Sequence, residues 1–157
     1  IDTPLAYAAG DVNAGATPRV VGSAYTNNFA GATTTTLFAI DANLDILATQ
    51  SPPNAGTMNT VGALGFNTSD LVGFDISLLT SVSFASLTSP TGASSQLFTI
   101  NLGTGAATLL GTIGLNVTLA DISVAATPIP EPETYVLIAV GLLALRGVAR
   151  GRPLRKD

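Results

Sequence analysis

The chain contains no cysteine and no histidine, and its one lysine is Lys156, next to the C-terminus. Without cysteine, disulfides and thiolate metal sites are excluded. Without histidine, the sequence lacks the commonest general base, the commonest transition-metal ligand and the usual partner of a nucleophilic serine. We therefore expect a protein that is not an enzyme and that carries no cofactor.

Positive charge is also nearly missing from the first four fifths of the chain. Residues 1–127 hold seven Asp against Arg19 alone, a net charge of −6, whereas residues 128–157 hold five basic and three acidic residues, a net charge of +2. A body with a single cation cannot neutralise a phosphate backbone. Nucleic acid is therefore not expected among its partners.

The first 126 residues are short apolar runs separated by Gly, Thr, Asn, Ser and Pro, which is typical of an all-β protein with frequent turns. No segment before residue 127 sustains a helical period. The predicted strands are Arg19–Tyr25, Thr36–Asp41, Asp45–Thr49, Thr60–Leu64, Val72–Ile76, Val82–Leu87, Gln96–Asn101, Ala107–Thr112 and Leu119–Ala125.

Three motifs occur twice in this body. The pairs are Leu37–Asp41 with Leu97–Asn101, Val61–Gly65 with Leu110–Gly114, and Phe74–Ser77 with Ala120–Ser123, at offsets of 60, 49 and 46 residues. Residues 72–114 read as a four-stranded antiparallel meander, and a four-stranded repeat of roughly 40 to 50 residues has the spacing of a β-propeller blade. The sequence predicts about two four-stranded blades, part of a larger domain, with a plain β-sandwich as the alternative.

The two Leu-Phe-x-Ile copies predict which side chains are buried. Phe and Ile of each copy share one face of a strand, and Leu shares the other face with the variable residue. We expect both copies to hold the same blade position and to contribute to buried faces through Leu37, Phe38, Ile40, Leu97, Phe98 and Ile100.

At Thr127 the composition changes. Residues 127–133 form a Pro-rich linker, which favours an extended chain. Residues 134–149 are predicted to form a short transmembrane helix, which spans about 24 Å against about 30 Å of hydrocarbon. Residues 150–157 form a basic tail. A cluster of basic residues at the end of the chain is expected to stop the helix in the membrane: Arg146, Arg150, Arg152, Arg155 and Lys156. Because basic residues stay on the cytoplasmic side, we expect the C-terminus in the cytoplasm and the body on the exported side.

The order of Pro130-Glu131-Pro132, a short apolar span and terminal arginines resembles the PEP-CTERM sorting signal. The resemblance implies that Pro130, Glu131 and Pro132 are read by an exosortase in the inner membrane of a Gram-negative bacterium that makes extracellular polysaccharide. It implies an inner-membrane-anchored intermediate that later reaches the cell surface or is secreted. The expected partners are the exosortase, the inner membrane, and extracellular polysaccharide or other surface proteins.

The body resembles the domain of unknown function 4394 family, which is predicted to be propeller-like and extracellular. The segments that carry the resemblance are Leu5–Gly15, Ala24–Phe29, Leu37–Asp41 and Gln96–Thr108. The family brings no activity or site residues. Its domains are longer at the N-terminus and this chain begins at Ile1 without a leader, so we expect a truncated or processed N-terminus.

Two segments space oxygen ligands two residues apart, as calcium loops do: residues 11–15 and residues 41–45. Neither segment continues into a full calcium loop, because the acidic residue expected at the end of the loop is missing from both, and Asx turns explain both segments. The candidate metal ligands are Asp41, Asn43 and Asp45, although we expect no metal there. Asp75 and Asp121 occupy matching repeat positions and are interpreted as structural rather than as an acid/base pair.

These features predict a non-catalytic surface or matrix-associated protein whose body is a structural or binding module. The alternative is a calcium-dependent, lactonase-like propeller hydrolase whose catalytic groups lie upstream of Ile1.

Overall fold

Nine strands and one 3-10 helix form within residues 3–125, the residues that the computed structural model describes. The strands are β1 (Ala6–Tyr7), β2 (Val20–Tyr25), β3 (Leu37–Asp41), β4 (Ile46–Gln50), β5 (Thr57–Ala63), β6 (Val72–Ile76), β7 (Ser83–Leu87), β8 (Gln96–Ile100) and β9 (Ala107–Thr112). The 3-10 helix, Pro53–Ala55, lies between β4 and β5. The prediction of an all-β body is confirmed for the described residues.

The chain divides into the unit Ile1–Ala126, which contains all described residues, and the unit Thr127–Asp157. The predicted linker (127–133), transmembrane helix (134–149) and basic tail (150–157) lie outside the described residues. Between residues 3 and 125, no helix has the length and apolar character that crossing a membrane requires.

The strands form two sheets. The first has five strands in the order β1-β5-β4-β3-β2, and the second has four in the order β6-β7-β8-β9. Neighbouring strands are antiparallel except β1, which pairs with β5 in parallel. The meander predicted for residues 72–114 is confirmed as the second sheet.

One apolar layer joins the two sheets. Four residues of the two Leu-Phe-x-Ile copies belong to it, and each is at most 8% exposed: Phe38, Ile40, Phe98 and Ile100. Ala39 belongs to a separate cluster, because alternate residues of a strand point to opposite faces. The predicted burial is therefore confirmed for these four residues, and Leu37 and Leu97 are half-buried.

The two sheets also contact each other through glycine. A Cβ atom on Gly62 of β5 would lie 2.1 Å from the carbonyl oxygen of Thr104, in the turn between β8 and β9. A Cβ atom on Gly105 in that turn would lie 2.3 Å from the carbonyl oxygen of Gly62, and Gly105 has a φ of +82°. The backbone N–H of Ala107 donates to the carbonyl of Leu64 at 2.9 Å beside this contact. The two backbones meet where no side chain fits.

The strand predicted at Leu119–Ala125 is wrong. These residues have no strand pairing and lie instead against the face of β6, where a Cβ atom on Gly73 would be 2.4 Å from the backbone nitrogen of Ile122. A segment that crosses a sheet face bonds to side chains rather than to a neighbouring backbone. The N–H of Val124 donates to Asp75 Oδ2 at 2.7 Å, and the N–H of Leu119 donates to Ser95 Oγ at 2.7 Å.

The two repeat copies do not hold the same position, which corrects a second prediction. In the second sheet, β8 lies beside β9, whereas the matching strands of the first sheet, β3 and β5, are separated by β4. The first sheet also gains β1 at its edge, so it has five strands rather than four. The first two motifs lie 11 residues further apart in the first copy than in the second, since their offsets are 60 and 49, and this added length is enough for the extra strand β4.

The glycine contact predicts a large difference between two matched substitutions. Gly62→Ala should lower the free energy of unfolding by about 1–3 kcal/mol, because the added Cβ forces the β8–β9 turn away. Gly111 is the repeat counterpart of Gly62, but a Cβ there would meet no atom within 4 Å. Gly111→Ala should be neutral or stabilising by less than about 1 kcal/mol. Urea unfolding of both variants measures the difference, and equal losses would contradict the close approach.

Candidate functional site

A cavity of about 410 Å³ opens between β2, β6 and residues 120–121. Its polar side chains are Ser23 and Asp121, and the remaining lining residues are Val20, Val21, Gly22, Val72, Phe74 and Ala120. The surface that faces the cavity is more polar than apolar. A concavity of a few hundred cubic ångströms has the size of a ligand site. This cavity is therefore a candidate binding site.

The approach of β2 to β6 depends on Gly22. A Cβ atom there would lie 3.1 Å from both Phe74 Cβ and Val72 Cγ1, which is tighter than ordinary van der Waals contact. The pairing of β2 with β3 is interrupted by an irregularity between Val20 and Gly22. The first sheet, the second sheet and residues 120–121 thus all reach the same cavity.

Each of the two repeated carboxylates accepts hydrogen bonds from the backbone. Asp75 accepts from the N–H of Ile76 at 2.8 Å, and Asp121 accepts from the N–H of Ile122 at the same distance. Asp75 Oδ2 additionally accepts from Val124. These bonds are the structural role that the repeat predicts for both residues.

The calcium candidates lie at the end of β3 and in the turn between β3 and β4. Asp41 is fully buried, and its Oδ1 accepts from the N–H of Asn43 at 2.7 Å and of Leu44 at 3.3 Å, which is an Asx turn. Asp45 Oδ1 accepts from the N–H of Thr68 at 2.9 Å. The side-chain amide of Asn43 donates to the carbonyl of Thr17 at 3.2 Å. The three side chains each bond to backbone.

Tyr7 completes the environment of Asp41. Its hydroxyl donates to Asp41 Oδ2 at 2.5 Å. Burial raises the pKa of Tyr7 well above its ordinary value, and the hydrogen bond to Asp41 and the nearby negative charge raise it further. Tyr7 therefore stays protonated and remains a donor. Sequence reasoning missed this partner because Tyr7 lies in a two-residue strand.

Asp11, in the other calcium-like segment, ties its loop to β5. Its Oδ1 accepts from the N–H of Asn13 at 2.8 Å and from Thr60 Oγ1 at 2.7 Å, while its Oδ2 accepts from the N–H of Thr60 at 2.6 Å. Desolvation pushes the pKa of Asp11 upward, but these hydrogen bonds outweigh it and leave the pKa lowered. Among the described residues, no three acidic side chains gather as a metal site would require.

The predicted sorting and membrane-stop residues are not among those described. They are Pro130, Glu131, Pro132, Arg146, Arg150, Arg152, Arg155 and Lys156.

A model of the family described as Domain of unknown function (DUF4394) matches residues 1–123. The chain belongs to this family. The match includes every described strand and residues 119–123 of the segment on β6, so the resemblance of the body is confirmed. No curated protein and no solved structure matches the chain. The function of the DUF4394 body has to be argued from its own residues.

Calcium is predicted to leave the stability of the DUF4394 body unchanged. A metal that binds only the folded protein at about a hundredfold excess over its dissociation constant adds roughly 2.7 kcal/mol, which a melting curve shows plainly. Thermal unfolding in millimolar calcium and in chelator should give the same midpoint, because the oxygens of Asp41 already bind Tyr7 and the turn. A rise in midpoint that Asn43→Ala removes would contradict this.

Proposed function

We propose that this protein is a non-catalytic, exported surface or matrix-associated module, with a propeller-like DUF4394 body delivered by a PEP-CTERM sorting tail. The observation that carries the non-catalytic part is the use of the carboxylates. Asp11, Asp41, Asp45 and Asp75 each accept backbone N–H groups of the body. An acid or base for catalysis has to exchange protons with a substrate, whereas these carboxylates hold turns and layers together.

The propeller-like arrangement is supported by residues 120–124, which lie on β6 and form a third layer after the two sheets. A β-sandwich consists of two packed sheets and assigns no role to residues 120–124. Here these residues match β6 in sequence, lie against β6, and reach the same cavity as β2 and β6. In a β-propeller, successive blades likewise lie around one central space that their inner edges share.

A further blade, packed on β9 of the second sheet, is consistent with the same propeller arrangement. Gly62 is covered by the turn of the next sheet, whereas its counterpart Gly111 meets no described atom. Leu109 and Leu110 beside it are 52% and 54% exposed. We infer that the body is part of a larger propeller, in which another blade covers β9 as the second sheet covers β5.

The order of the segments in the tail supports the proposal of export and sorting. Proline favours an extended chain, the form in which a protease or transpeptidase would read the Pro130-Glu131-Pro132 motif. A short span places that motif at the outer boundary of the inner membrane, and the basic residues resist transfer through hydrocarbon. The body then lies outside the cytoplasm, as a surface or matrix module must.

The sorting proposal predicts opposite outcomes for two variants. Deletion of residues 130–157 should release a soluble body that still folds, while replacement of Pro130, Glu131 and Pro132 by alanine should leave an unprocessed form in the inner membrane. A fractionation blot in a host with an intact exosortase compares them. Normal processing of the triple-alanine variant would contradict the sorting role and leave an ordinary membrane anchor.

A further inference from the structure

The loop between β2 and β3 forms a second concavity, which shares no residue with the cavity beside β6. It has a volume of about 360 Å³, and two aromatic rings line it. Phe29 is 51% exposed and Tyr25 is 40% exposed. A single exposed apolar residue is ordinary on a protein surface. Two rings that line one concavity together with amides and a hydroxyl form a more specific arrangement.

Hydrogen bonds within the loop hold this concavity open. The side-chain amide of Asn27 donates to the carbonyl of Thr34 at 3.0 Å, and the N–H of Thr36 donates to Thr26 Oγ1 at 2.9 Å. The N–H of Phe29 donates to the carbonyl of Asn27 at 2.8 Å. A loop that is ordered before binding loses less entropy when a ligand arrives.

The groups left for a ligand are neutral. The side chains of Asn28 and Thr35 and the hydroxyl of Tyr25 line the concavity and take no part in the bonds that hold the loop. Amide and hydroxyl groups both donate and accept hydrogen bonds. None of the described residues that line the concavity is charged, so these residues offer no cation to a phosphate or a carboxylate.

We propose that this concavity binds a neutral saccharide. The C–H face of a sugar ring stacks on Phe29 or Tyr25, whose rings combine apolar area with, in Tyr25, a polar end. Sugar hydroxyls then bond to Asn28, Thr35 and the Tyr25 hydroxyl. The concavity is open to solvent at the loop surface, which suits a stretch of a polysaccharide. This assignment rests on the proposed function, since it names a ligand for the exported module.

The test is affinity electrophoresis of the full chain in native gels that contain hydroxyethylcellulose, dextran, galactomannan or the anionic polysaccharide alginate. A polyoxyethylene detergent without a sugar headgroup keeps the chain in solution. At least one of the three neutral gels should retard the protein. Phe29→Ala and Asn28→Ala should each weaken the apparent association constant by about tenfold or more, and Phe29→Tyr should retain most of it.

Leu115→Ala is the matched control, because Leu115 is 91% exposed and does not line the concavity. It should migrate like the unchanged protein, and far-UV circular dichroism should be the same for all variants. Retardation by no neutral gel, retardation by alginate alone, or equal retardation of Phe29→Ala and the unchanged protein would each overturn the saccharide site. None of these results alters the fractionation blot, so failure of the site and failure of sorting are distinguishable.

Discussion

The packing of successive layers in this body depends on glycines at positions where two backbones meet. Gly62 contacts the turn before β9, Gly22 contacts β6, and Gly73 contacts residues 121–122. At Gly62 and Gly73 a Cβ atom would clash with the backbone of the next layer, and at Gly22 it would lie tight against the side chains of Val72 and Phe74. The apolar layer of Phe38, Ile40, Phe98 and Ile100 is compatible with this spacing, and interiors so closely packed tolerate little added volume. The cavity beside β6 exists because these contacts bring three layers to one edge.

Buried polar groups fix contacts between chain segments that the apolar layer alone does not determine. Asp41 is fully buried, so Tyr7 must supply a donor, and this bond holds β1 to the end of β3. Ser95 is also fully buried, and its hydroxyl bonds to Thr88 Oγ1 at 2.6 Å and accepts from the N–H of Leu119. Removing a partner of a buried polar group costs about 1–3 kcal/mol. These groups serve the fold, so the proposed binding role falls to the exposed rings of Tyr25 and Phe29.

Sequence reasoning succeeded where structure is local and failed where partners are distant in sequence. The second sheet was predictable because β6 to β9 are consecutive in the chain, are short apolar runs bounded by turn residues, and include a Gly-rich turn. The two residues of β1 pair with β5, some fifty residues away, and no local pattern marks such a strand. Residues 119–125 have the composition of a strand, but strand formation needs a partner strand at an edge, and these residues lie on a face. The concavity near Phe29 was not predictable because it needs the loop fold to gather Tyr25, Phe29 and Thr35.

The stacking of residues 120–124 on β6 is tested most directly by the rate of amide hydrogen exchange at Val124, measured by NMR on the full chain. The N–H of Val124 donates to Asp75 Oδ2, so its exchange should be slowed, and Asp75→Ala should restore fast exchange at Val124 while the amides of β8 stay protected. If Val124 in the unchanged protein exchanges at the rate of an unstructured peptide, the third layer is absent and the repeat does not continue beyond the second sheet.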